Sequence, residues 1–119
     1  MSGKPSEFKR RIEGTRVSSV LFVEDYLQMI FDDYGLTLYV WPEIEKRGIV
    51  MLNGQAGYRD ALCNLINCRV IEATEKDDEI AILFTDGSYL TMSLRPEDRA
   101  GPESGLFFSQ MGSLTIVWT

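Results

Sequence analysis

Residues 17–31 read VSSVLFVEDYLQMIF and residues 70–84 read VIEATEKDDEIAILF. The two stretches align without a gap at an offset of 53 residues, sharing Val17/Val70, Val20/Ala73, Leu27/Ile80, Met29/Ile82 and Phe31/Phe84. In the second half of each, apolar residues recur at every other position, the period of a strand with one buried face. An acidic, glycine-ended turn follows in both copies, Asp32-Asp33-Tyr34-Gly35 and Thr85-Asp86-Gly87. A third alternating run comes next, Leu36–Trp41 in one and Ser88–Leu94 in the other. Each copy predicts a three-stranded antiparallel meander, and the pair predicts an internal repeat.

Turn length sets which side chains share a face. A three-residue loop at 85–87, with Gly87 in the left-handed region, puts Phe84 opposite Ser88 and aligns Ile80, Ile82, Phe84, Leu90 and Met92 on one face. A four-residue loop at 32–35 puts Phe31 opposite Leu36, so the core face reads Leu27, Met29, Phe31, Leu36, Leu38 and Val40 and the offset drops to 52. The opposite faces differ in character. In the second copy that face reads Val70, Glu72, Thr74, Glu79, Ala81, Leu83, Tyr89, Thr91 and Ser93, which is mostly wettable. In the first copy it holds Val17 beside Leu21, Val23, Tyr26, Ile30, Tyr39 and Trp41. A sheet face this apolar is rarely bare on a monomer, so these last six residues are the candidate interaction face.

Only one segment reads firmly as a helix. Residues 57–67 carry Tyr58, Ala61, Leu62, Leu65 and Ile66 at helical spacing, with Arg59, Asp60, Asn64 and Asn67 on the wet side. A strand Ile49–Leu52 precedes it, and Leu106–Phe108 and Leu114–Trp118 read as closing strands. Residues 1–14 are polar and basic, and predict a mobile arm in which Ser6–Ile12 can form a short helix with Phe8 and Ile12 on one side. Residues 15–119 predict a single α+β domain: two meanders in a curved antiparallel sheet or partly open barrel, with one helix packed on it.

Composition excludes several classes. Of 119 residues, 45% are hydrophobic and 25% charged, ordinary values for a globular chain. The net charge is −6, but residues 1–16 hold five basic and two acidic groups, leaving seven basic and sixteen acidic groups in the rest. An acidic body repels phosphate backbones, which argues against nucleic acid and favours a basic protein partner. No stretch approaches the 18 apolar residues of a membrane span, and the N-terminus has no apolar signal core. Two cysteines, Cys63 and Cys68, would point about 140° apart on a helix, which suits neither a disulfide nor a metal clamp. The expectation is a cytoplasmic protein with free thiols.

Sites for chemistry are absent from the pattern. There is no histidine, hence no common general base or imidazole ligand. The acidic pairs Glu24-Asp25, Asp32-Asp33 and Asp77-Asp78 lack the spacing of a calcium loop and read as turn residues. Gly48, Gly54 and Gly57 match no phosphate-binding fingerprint. No catalytic, cofactor-binding or metal-ligating residue is expected.

Several motifs resemble a class of small uncharacterised bacterial proteins: V-x-x-V-x-F-V-x-D-Y-L-Q-M-x-F at Val17–Phe31, G-Y-R-D-A-L at Gly57–Leu62, F-T-D-G-S-Y-L-T at Phe84–Thr91 and G-P-E at Gly101–Glu103. The resemblance spans residues 16–118 and implies a bacterial cytoplasmic protein with no assigned reaction. Together these features predict a non-catalytic interaction module, immunity-like or regulatory, acting through a homodimer or a protein partner. The alternative is a small-ligand-binding barrel or enzyme with carboxylates or tyrosines in its interior.

Overall fold

A computed structural model describes residues 5–119 of the chain. The first meander forms as β1 (Val17–Val23), β2 (Tyr26–Phe31) and β3 (Tyr34–Leu38), and the second as β6 (Val70–Glu75), β7 (Glu79–Phe84) and β8 (Tyr89–Ser93). Between them lie β4 (Glu43–Lys46), β5 (Ile49–Met51) and the helix α2 (Tyr58–Cys63); β9 (Gly105–Ser109) and β10 (Thr115–Trp118) close the chain. A further short helix, α1 (Glu7–Ile12), precedes β1. All strand pairs are antiparallel, in two sheets of order β1-β2-β3-β9-β10 and β5-β4-β8-β7-β6. The hairpin that follows each meander thus joins the other meander's sheet.

The two sheets do not close into a barrel, and among the described residues a second short α-helix, α1, joins the one firmly expected. The sheets meet edge to edge at one isolated bridge, Arg16 to Arg69, and otherwise enclose a core between their inner faces. Leu27, Met29, Phe31, Leu36, Leu38 and Phe107 come from one sheet, and Ile44, Ile80, Ile82, Phe84, Leu90 and Met92 from the other; all are fully buried. Phe31 and Phe84 stack at 6.4 Å across that layer. The interior is filled by apolar side chains, and the Tyr58 hydroxyl buried among them donates to the Pro42 carbonyl at 2.5 Å. Burial pushes the Tyr58 phenol up from its ordinary range.

The inner faces follow the sequence pattern, with two corrections. The first turn is a two-residue loop, not four: Phe31 lies opposite Tyr34 and Met29 opposite Leu36, with Asp32 at φ 52°. Aspartate tolerates the left-handed region, so no glycine is needed there. Removing two residues preserves parity, so Leu36 and Leu38 still face inward. Leu36 then matches Leu90, which raises the offset to 54. The second turn is as expected, with the Phe84 amide donating to the Ser88 carbonyl and Gly87 at φ 85°.

The other correction concerns Val17 and Val70. Both were expected outside and both are buried, because a β-bulge interrupts β1 between Val17 and Ser19 and β6 between Val70 and Glu72. One extra residue flips the alternation on one side of the bulge. Val17 pairs with Phe31 and Val70 with Phe84, in matching registers.

The helices seal the gaps between the sheets. Residues 1–14 were expected as a mobile arm; residues 1–4 lie outside the described residues, and residues 7–12 form α1 with Phe8 and Ile12 fully buried. Ser6 caps it, accepting from the Lys9 amide. Phe8 meets Phe107 and Trp118 edge-on at 5.1 and 5.2 Å, on the first sheet. Lys9 and Glu13 reach the second sheet's edge strand, where the Lys9 ammonium donates to the Ala73 carbonyl and the Ala73 amide donates to the Glu13 carboxylate. These side chains satisfy backbone groups that an edge strand leaves unpaired. On the other side α2 packs on β4 and β1 through Tyr58, Ala61 and Leu62. It stops at Cys63, so Leu65 is buried in the following turn and Ile66 is exposed.

Truncating Phe8 to Ala should destabilise the protein by about 3–5 kcal/mol in urea unfolding, since it removes a buried ring at the junction of both sheets. The Glu13 carboxyl is pushed up by burial, but its bonds to Lys9 and to the Ala73 amide outweigh this and hold it below the ordinary range. A depressed carboxyl stabilises the fold fully above the unfolded pKa of about 4.3 and loses that contribution as pH falls through the folded value. Glu13→Gln should therefore cost about 1 kcal/mol at neutral pH. Urea midpoints of the two proteins should converge in acid.

Candidate interaction face

Strand pairing brings a row of outward side chains together on the first sheet. Across it, Ile30, Gly35, Phe108 and Thr115 stand in one register line, and Gln28, Thr37, Leu106 and Val117 in the next. Ser19 and Leu21 extend these lines on β1, and Val23 pairs with Tyr26 at the end. None of these residues is charged. Neither helix lies over them, since α1 and α2 are spent on the two sides of the core. Leu21 is 52% exposed and Val117 43%.

Five of the six residues expected on this face are there. Leu21, Val23, Tyr26 and Ile30 project from β1 and β2, and Tyr39, just beyond β3, packs its ring edge-on against Tyr26 at 5.7 Å. The Tyr39 amide donates to the Ser104 carbonyl at 3.0 Å, which anchors the chain as it leaves the sheet. Trp41 is not with them. Alternation ends at Leu38, and residues 39–42 carry the chain across to β4 in the other sheet. Trp41 there packs partly into the core beside Glu43, Leu52 and Thr91.

Leu106, Phe108 and Val117 belong to the face but were not expected on it. Their alternation is visible in the sequence, yet which sheet receives β9 and β10 is not, because β9 pairs with β3 from the far half of the chain. Gly35 carries one signal of this pairing. Gly35 looked like the end of a turn, but it is a buried strand residue over which the Phe108 ring lies flat; any Cβ at Gly35 would overlap that ring. At the centre of the face the Gln28 amide donates to the Thr37 hydroxyl at 3.1 Å, joining β2 to β3 through their side chains.

The second sheet offers the contrast. Its outer face carries Glu43, Glu45, Glu72 and Glu79 around Thr91, Tyr89, Leu83 and the exposed Val50. Pairing registers correspond between the sheets: Leu106 stands opposite Thr37 as Glu43 stands opposite Thr91, and Phe108 opposite Gly35 as Glu45 opposite Tyr89. Tyr26 likewise opens β2 where Glu79 opens β7. The second sheet thus carries glutamates at positions where the first carries apolar side chains.

Among the described residues no group of three or more His, Cys, Asp or Glu side chains converges as a metal site, and no helix is long and apolar enough to cross a membrane. Cys63 is exposed and Cys68 half-buried, both as free thiols. Comparison with known proteins finds no matching family model, no matching curated protein and no matching solved structure.

Gly35→Ala should cost about 1–3 kcal/mol by displacing Phe108. The loss should be largely recovered in the Gly35→Ala, Phe108→Ala double variant, read as a coupling in a urea-unfolding cycle.

Proposed function

We propose that this protein is a non-catalytic interaction module whose working surface is the outer face of the first sheet. One observation carries the reading: the face is apolar and uncharged at positions where the corresponding sheet carries glutamates. Burying such a face contributes about 25 cal/mol per Å2 of apolar area removed from water, and leaving it bare on a soluble chain invites association. The filled interior favours this over the ligand-binding or catalytic barrel, which needs a hollow lined with polar groups. A regulatory or immunity-like role goes with a module that acts by binding, and the acidic second face is electrostatically suited to basic surroundings.

The internal repeat is part of the same proposal. Matching registers at Val17/Phe31 and Val70/Phe84, a bulge at the start of each meander, the Arg16–Arg69 bridge and the Phe31–Phe84 stack support a duplicated unit with an approximate two-fold axis. In this reading the two halves kept one core and diverged on their outer faces.

If the face serves association and not folding, Leu21→Glu and Val117→Glu should each change the stability of the dilute protein by less than about 1 kcal/mol. Urea unfolding at low concentration checks this. A loss of several kcal/mol in both variants would make the face a folding element and overturn the reading.

A further inference from the structure

We infer that the occupant of this face is a second copy of the same chain, packed sheet on sheet about a two-fold axis. The inference rests on the interaction-module reading above. Three features of the molecule select a copy over another protein.

The first is charge. The paired strand positions of the face carry no charged side chain, the acids nearest it being Asp25 and Glu103 beside Tyr39 at its end, and its central polar side chains, Gln28 and Thr37, bond to each other. What matches it is a surface equally free of charge, and the chain itself supplies one. The same test excludes self-pairing elsewhere: docking the second sheet's outer face on its copy would set Glu43, Glu45, Glu72 and Glu79 against one another.

The second is the placement of the net charge. Two chains of net charge −6 repel. In a stack through the first sheets, the glutamate faces become the two outermost surfaces. Four sheet layers about 10 Å apart put these faces on the order of 30 Å from each other. That is about three or more Debye lengths at physiological salt, so their repulsion is screened.

The third is size. Five strands about 4.8 Å apart and four to seven residues long present on the order of 400 Å2 in projection. Side-chain relief raises the accessible area further, toward the tenth of a small protein's surface that one partner gives to a standard interface; the whole surface here is 6752 Å2. An isologous contact uses the patch twice and closes, so it ends at a dimer.

Light scattering across a dilution series tests this on the full chain. The native protein should approach twice the 13.5 kDa chain mass at high concentration. Leu21→Glu and Val117→Glu, on opposite edges of the face, should each return to the single-chain mass with unchanged circular dichroism; with two variants, failure of one to fold leaves the other. Glu45→Gln, on the acidic face, should leave the dimer intact. A native chain that stays at single mass at every concentration overturns the second copy as occupant, including a monomer that instead binds a basic protein through the acidic face. The module reading then stands or falls on its own stability test. A dimer that survives both face variants while they fold, or is lost in Glu45→Gln, places the contact elsewhere and overturns the inference and the module reading alike.

Discussion

Each sheet is completed by strands from the other half of the chain. The hairpin β4–β5 follows the first meander but pairs with β8, and β9–β10 follows the second but pairs with β3. Neither meander alone has a partner for its apolar inner face. The exchange of hairpins locks the two inner faces together. The core therefore depends on pairings between strands distant in sequence, which form slowly.

Two open sides remain after the sheets have met, and the short helices fill them. Neither helix is long enough to stand alone in water. Their stability comes from what they plug: Phe8 between Phe107 and Trp118 on one side, Tyr58 and Leu62 against β4 and β1 on the other. The N-terminal helix does a second job. Lys9 and Glu13 occupy the free backbone groups of Ala73 on the edge of β6, and the bulge beside it twists the edge further from regular pairing. That edge is blocked against strand addition, whereas the flat face of the first sheet carries no such protection.

The contrast between the two outer faces is the functional clue. Both sheets share an inner pattern because both must fill one core. On their outer sides they differ: one carries glutamates, the other is largely apolar and uncharged. An apolar outer face supports the role in association proposed for it.

Much of this was legible in the sequence, and the limits have physical causes. The period-two pattern in 26–31 and 79–84 determines the strands and their inner faces. Because parity survives a change of two residues in a loop, Leu36 and Leu38 were placed correctly even though Asp32-Asp33 alone makes the turn. The bulges were not legible, since an inserted residue leaves no mark in composition; they carry Val17 and Val70 inward. The burial of Phe8 and Ile12 was hidden for another reason: a six-residue basic segment has no stable helix of its own until a core accepts its two apolar side chains. The candidate face divides along the same line. Leu21, Val23, Tyr26 and Ile30 follow from local alternation, while Trp41 left the face and Phe108 and Val117 joined it through pairings between distant strands. Alternation is a property of neighbouring residues and can be read along the chain. Sheet order comes from the mutual burial of whole faces, and only the folded chain decides it.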